Sequence, residues 1–440
     1  MYHLLLNKKI EYCTKILNLL LIQFNGMIQN KRKIINDPIY GFVTLPDELV
    51  YDLINHPSFQ RLRRIKQLGL TNLVYPGALH TRFHHAIGAM YLMTEALQVL
   101  KSKGIKITDA ETQGAIIAIL LHDIGHGPFS HALEHTIVKG IHHEDLSLML
   151  MDDLNKIFKN KLSLAIQIFK NKHPKKFLHQ LVSSQLDMDR LDYLKRDSFF
   201  TGVSEGIVSS DRIIKMLTVV NGELVIEAKG IYSVEKFLIA RRLMYWQVYL
   251  HKTVLSAEKL LVNILTRAKE LSMQGQNLFA TPALSLFLKH NFNKKDFLSK
   301  PELLQQFILL DDYDIMASVK VWASDNDKVL ALLCQHMIDR HLFKIELQTK
   351  PFAASYKKQL QEKVMKKYKL TQKESNYFVL AESVNNSAYN SGTQHKINIL
   401  YNNNTLVDVA KASDQLNIKV LSKKVTKYYI CYPKEILTGK

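Results

Sequence analysis

Apolar positions along this chain repeat mostly every three or four residues, the spacing of helices that each bury one face. Leu49, Leu53 and Ile54 make one such face, ended by His56-Pro57. Phe59, Leu62, Ile65 and Leu68 predict a helix over 58–69, with Arg61, Arg63, Arg64 and Lys66 on its other side. Further helices are predicted at 82–102, 109–123, 142–154 and 181–197, and then, with breaks, from 234 to about 343. The run 116–121, IIAILL, has no polar position, so that helix turn is expected to be fully buried.

Other stretches break this pattern. Residues 31–43 carry turn signals at Asp37-Pro38 and Gly41 and read as a short-strand entry. Residues 217–230 read as a hairpin, because Asn221-Gly222 suits a type I′ turn. Residues 155–180 are lysine-rich and weakly patterned. In the last hundred residues 396–401, 419–421 and 428–432 are β-rich, 356–368 and 406–413 helical, and 383–393 a loop. The architecture expected is mainly α. An N-terminal arm over 1–35 precedes a helical bundle with a β-hairpin insertion over 36–348, followed by a small C-terminal α+β unit over 349–440.

Composition narrows the picture only slightly. A hydrophobic share of 47% and a charged share of 22% over 440 residues describe a soluble globular chain with room for two or three domains. A net charge of +19 favours polyanionic partners such as nucleotides or nucleic acid, although a lysine-rich solvated surface gives the same surplus. Cys13, Cys334 and Cys431 form neither a disulfide framework nor a CxxC pattern, which suits a reducing cytoplasm. Lys8, Lys9, Glu11 and Lys15 interrupt the apolar runs of residues 1–26, so no transmembrane helix is expected there, and Met27 offers an alternative start.

The candidate chemistry follows the apolar run. His122 and Asp123 come directly after it, Gly125, Gly127 and Pro128 stop the helix, and His126 and His131 follow. A buried imidazole and carboxylate are unfavourable unless paired or metal-bound, and those donors suit divalent Zn, Fe, Mn or Ni. Alone, the pair would read as a helix cap. Three segments, however, offer such ligands: His85, His122-Asp123, and an acidic helix with Asp187, Asp189 and Asp192. A helix bundle can aim all three at one centre, where a cation polarises a phosphoryl oxygen. Arg82 and the cations of 58–69 can neutralise phosphate. His126, His131 and His143 titrate near neutrality and can protonate a leaving oxygen, with Glu134 and Glu144 to orient them.

His85, His122-Asp123 and Asp189 are spaced like the H…HD…D signature of HD-domain phosphohydrolases, and the chain resembles that family. QRLRRIKQLG, YPGALHTRFHHAIG, LLHDIGHGPFSHALE, HHED and LDMDRLDYLKRD are similar to its deoxynucleoside triphosphate triphosphohydrolase branch. That branch includes bacterial dNTPases and the human SAM-and-HD-domain enzyme, and the likeness runs over about 37–343. It implies a mostly helical HD bundle, a divalent metal (Fe, Mn, Zn, Ni or Mg), and hydrolysis of a dNTP to deoxynucleoside and triphosphate at the α-phosphorus. By the same resemblance His85, His122, Asp123 and Asp189 match the metal ligands, and His131 the catalytic histidine, with Glu134 as its acidic partner. His126, His143 and Glu144 match further groups on the phosphate side. Arg82, Arg190 and Arg241 fall at the triphosphate, Gln67, Leu68, Tyr193 and Asp197 at the deoxyribose, and Tyr249 beside base and sugar.

Some features depart from that branch. No counterpart of the human enzyme's SAM module is expected in this sequence. Gln60 and Arg63 fall at a regulatory nucleotide site, but Asn55 replaces the carboxylate that recognises guanine there. Arg190 stands where the human enzyme has lysine, and His84 where the residue is often acidic. The resemblance implies a dNTP substrate, a regulatory nucleotide and a homo-oligomer of two to four chains assembled through the C-terminal unit, with nucleic acid a secondary partner and no membrane. Two other readings stay open. One is an HD phosphohydrolase acting on another nucleotide, a phosphomonoester or an oligonucleotide end; the other is a nucleic-acid-binding scaffold with a vestigial site.

Overall fold

The structure is a computed structural model that describes residues 33–129, 133, 136–138, 140–386, 389–390, 396–413 and 425–437. His131, Glu134 and the strand expected at 419–421 lie outside the described residues. The chain divides into two compact units, residues 1–55 and 56–440.

In the first unit, β1 (Ile34–Asp37) and β2 (Gly41–Thr44) form an antiparallel hairpin. The carboxylate of Asp37 accepts the N–H groups of Ile39 and Tyr40 at 2.9 and 3.1 Å and shapes the turn. Helix α1 (Glu48–Asn55) buries Leu49, Val50, Leu53 and Ile54, the face expected from the sequence.

The second unit is built on four helices. α2 (Arg82–Ser102) packs against α3 (Asp109–Leu121) and α7 (Met188–Thr201), and α5 (Ser163–Phe169) covers the other side of α3. α3 starts with a reciprocal cap, Thr108 to the Glu111 N–H and Glu111 back to the Thr108 N–H, at 3.2 and 2.8 Å. Its apolar run is buried on every side, each residue at 2% exposure or less. α4 (His143–Ile157) and α6 (Lys176–Val182) complete the wall, so the lysine-rich stretch without clear pattern contains two short helices.

α2 starts at Thr81, whose N–H donates to Nδ1 of His84 at 3.1 Å. His84 therefore serves as the capping acceptor of that helix, the work an acidic residue does elsewhere.

The continuous helix expected over 58–69 does not form. A single turn at Pro57–Gln60 passes into a 3₁₀ turn at Arg61–Arg64, Ile65 is extended, and a second 3₁₀ turn follows at Gly69–Leu73. Tertiary bonds outweigh the periodicity. The Lys66 N–H donates to Asp312 at 3.0 Å, Gln67 N–H to the His80 carbonyl at 2.9 Å, and Arg82 N–H to the Ile65 carbonyl at 3.0 Å. Arg61 is buried, donating to the carbonyls of Ile124 and His126 at 3.1 and 2.6 Å, so it supports the turn after α3 rather than facing solvent.

The hairpin forms as expected, β3 (Leu217–Val220) with β4 (Glu223–Glu227), and Asn221 and Gly222 both take positive φ, 53° and 81°. β4 pairs in parallel with β7 (Asn398–Leu400), which pairs with β8 (Leu406–Asp408), making a four-stranded sheet. β5 (Lys344–Gln348) and β6 (Leu380–Asn386) flank β9 (Val425–Tyr432) in an antiparallel sheet. α8 (Ile231–Met244) runs into a π-helical turn, Tyr245–Tyr249, followed by α9 (Lys252–Met273). No helix among the described residues is long and apolar enough to cross a membrane.

Candidate active site

The ends of α2, α3 and α7 meet. His85 lies in the first turn of α2, His122 caps α3, Asp123 follows it, and Asp189 lies in the first turn of α7. His85 Nε2 is 3.1 Å from Asp189 Oδ1 and 3.9 Å from Asp123 Oδ2. His122 Nε2 is 3.3 Å from Asp123 Oδ1 and 3.5 Å from Asp189 Oδ1. All four expected ligands therefore converge.

Their back atoms are fixed. Nδ1 of His122 lies 2.6 Å from the Ile119 carbonyl, which can only accept, so the proton sits on Nδ1 and the Nε2 lone pair faces the cluster. Nδ1 of His85 lies 2.7 Å from Asp192, which Arg196 holds in turn at 2.9 Å. Asp192 is thus the support of His85 and not a ligand. Asp187 is likewise set apart: it caps α7, accepting the Arg190 N–H at 2.8 Å and pairing with the Arg190 guanidinium.

Two glycines make these approaches possible. A Cβ on Gly88 would stand 2.0 Å from Asp192 Oδ1 and 2.1 Å from Arg196 Nη2. One on Gly125 would meet the Ser147 nitrogen at 2.2 Å, where the turn after α3 presses against α4. That contact brings His143 beside His126, their rings stacked 3.8 Å apart.

The donor set fits a divalent cation. Nε2 of His85 and of His122 are buried without a hydrogen-bond partner, although carboxylate oxygens surround them. The ligand atoms of His85, His122 and Asp123 lie within 4.8 Å of one another. Burial opposes charge on His85, yet Asp189 and Asp192 outweigh it and push its pKa up to about 10. Burial likewise opposes charge on Asp189, and His122 and His85 outweigh it, holding that carboxyl far below its usual range. The site draws positive charge, which a proton or a metal ion can supply.

Arg82 donates to Asp123 at 2.7 Å. His126 Nε2 lies 3.3 Å from the same carboxylate. Burial, then the nearby Arg82 charge, lowers the His126 pKa to about 3. His126 is therefore a neutral imidazole, not the group titrating near neutrality expected from its residue type. Glu144 stands 3.4 Å from His143 and is largely exposed.

These groups line one cavity of about 750 Å³ together with Gln67, Leu68, Arg190, Tyr193, Asp197 and Tyr249. The buried Oε1 of Gln67 has no hydrogen-bond partner. Asp197 accepts from Tyr249 OH at 2.7 Å, and its other oxygen lies 2.7 Å from Nε2 of the buried His80. Tyr249 stands edge-on to Tyr193, ring centres 6.1 Å apart. Arg241 lies one helical turn before Tyr245, its guanidinium 6.0 Å from that ring, and is absent from the lining. His80, Arg196 and the π turn, and the supporting roles of Asp192 and Gly88, escaped sequence reading. The H…HD…D spacing offered no signal for them, although Asp192, at i+3 from Asp189, shares one helix face with it.

The HD domain family matches residues 82–197 and the HD associated region matches residues 208–281. An uncharacterized protein of Bacillus subtilis, YwfO, is 30% identical over 428 residues, 94% of each chain. The crystal structure of a phosphohydrolase from Bacteroides thetaiotaomicron is 55% identical, with a TM-score of 0.89, covering 91% of this chain and all of that one. The chain belongs to the HD-domain phosphohydrolase family. It is also 34% identical over 257 residues to a protein of Dictyostelium discoideum named deoxynucleoside triphosphate triphosphohydrolase SAMHD1 homolog, covering 54% of this chain and 50% of that relative.

Proposed function

We propose that this protein hydrolyses deoxynucleoside triphosphates to a deoxynucleoside and inorganic triphosphate. The observation that supports this most directly is a single cavity lined both by the His122/Asp123/Asp189 cluster and by a compact wall of Gln67, Leu68, Tyr193, Asp197 and Tyr249. His85, His122, Asp123 and Asp189 would hold a divalent cation, which supplies Lewis acidity toward a phosphoryl oxygen.

Arg82 and Arg190 neutralise the triphosphate as it enters, and Arg241 adds charge from α8. Tyr249 and His80 each occupy one oxygen of Asp197, leaving further lone pairs to accept a 3′-hydroxyl, while Gln67 offers its unpaired Oε1 to the same sugar. Leu68 and Tyr249 close on the sugar and disfavour a 2′-hydroxyl. In the reaction the oxygen of water bonds to the α-phosphorus and the bond to O5′ breaks. The water loses a proton and the O5′ leaving group gains one. By the resemblance, His131 carries that transfer with Glu134, and His126, His143 and Glu144 act on the phosphate side.

A product assay with all four dNTPs and GTP, run beside metal analysis of the purified protein, tests the reading. Triphosphate release from dNTPs and weak turnover of GTP are expected. Orthophosphate or pyrophosphate as the product, or equal hydrolysis of dGTP and GTP, overturns it.

A further inference from the structure

The wall assigned to the sugar continues along the chain from both of its edges. Leu68 leads into the 3₁₀ turn Gly69–Leu73, and Tyr249 leads through Leu250 into α9. α9 packs against that turn, and Leu70, Thr71, Leu250 and Leu261 line the same cavity. This end is mainly apolar, as suits a planar ring. Glu258 is the exception. It lies one turn before Leu261 on α9 and lines the cavity too.

Nothing in the preceding mechanism uses Glu258. Among the described residues no ion pair holds its carboxylate, since the neighbouring Lys259 turns to Glu382 at 2.6 Å. Burial pushes its pKa up to about 7, and the Lys259 charge only partly opposes this. Glu258 is half-buried, so a ligand that brings N–H donors can replace the water on this carboxylate at an otherwise apolar wall.

We propose that Glu258 reads the base of the substrate and selects guanine. The inference rests on the dNTP reading given above. Guanine presents two adjacent N–H donors, N1–H and N2–H, which match the two oxygens of a carboxylate. Thymine presents one N–H between two carbonyl oxygens, which a carboxylate repels. Adenine and cytosine present an amino group beside an acceptor and fall between.

Steady-state kinetics on the full chain with its metal bound test this. The wild type is expected to favour dGTP over dTTP in kcat/KM by roughly tenfold, the scale of one two-point contact to a base edge. E258Q should bring that ratio to within about twofold, chiefly by raising KM for dGTP. E258D, which keeps the charge but withdraws it, should give an intermediate ratio and serves if E258Q folds poorly. A ratio that neither variant changes, or a wild type indifferent to the base, overturns the role of Glu258 while leaving dNTP hydrolysis standing. A metal-loaded wild type that hydrolyses no dNTP removes the parent reading and this inference together.

Discussion

Asp192 lies 2.7 Å from Nδ1 of His85, and Arg196 grips both oxygens of that carboxylate at 2.9 and 3.0 Å. A buried ion pair thus stands directly behind a metal-type ligand and sets its orientation. Asp192→Asn keeps the volume but weakens the hold on the imidazole. Metal affinity is expected to fall about 10–100-fold, the usual range for a support of this kind. Metal titration of the apo-protein measures it, and wild-type affinity would show that the pair only fills space.

On the proposed mechanism the metal-binding residues should behave differently from His131. Asp123→Ala and His122→Ala are expected to lose both metal and turnover. His131→Ala is expected to lose turnover with its metal content intact. Elemental analysis of the three variants decides, and metal loss in the His131 variant would make that residue a ligand.

Gly88→Ala should be severe for its size. The added methyl group would stand 2.0 Å from Asp192 and 2.1 Å from Arg196, both buried and neither able to retreat without breaking the pair. A loss of about 1–3 kcal/mol is expected, as for other overpacked cores. Thermal melting measures the loss, and reduced metal binding should accompany it.

On the proposed function the Asp197 contacts bear on sugar recognition. Tyr249→Phe removes the hydroxyl that donates to Asp197 at 2.7 Å. The KM for dNTPs should rise several-fold, in line with a hydrogen bond of about 0.5–1.5 kcal/mol, with kcat less affected. An unchanged KM would detach Tyr249 from the sugar.

Asp312 gives a pH signature. Burial lifts its pKa to about 6, against 3.8 when unfolded, even though the Lys66 N–H favours its charged form. The folded state therefore binds this proton more tightly than the unfolded chain. The resulting stability is complete below about pH 4 and is lost as pH rises through 6, amounting to about 3 kcal/mol. Asp312→Asn keeps an acceptor for Lys66 and should remove that slope. Melting temperatures of the two proteins between pH 4 and 7, compared pairwise, provide the check.

Much of this was legible in the sequence, for identifiable reasons. The helices carrying His85, His122-Asp123 and Asp189 have strong local signals: a 21-residue helix starting at Arg82 and an apolar run ended by glycines. The hairpin was equally plain, because Asn-Gly specifies positive φ locally. The segment 58–69 was misread because its apolar period of three satisfies either an α-helix or successive 3₁₀ turns, and distant partners, Asp312 and His80, decide between them. His80 and Asp192 were invisible as supports, since their roles depend on residues 117 and 107 positions away. The neutral state of His126 likewise comes from burial and from Arg82, neither of which residue type reveals.

One helix carries Asp189, Asp192, Tyr193 and Asp197. At about 1.5 Å per residue, Asp189 and Asp197 of α7 are spaced by roughly 12 Å along its axis. On the proposed function the helix is a ruler between phosphate and sugar. Inserting or deleting a single residue within it would swing one end by about 100° relative to the other. A fit to a substrate of another size would therefore have to come from the loops and turns facing α7, because a change of length within the helix breaks its register.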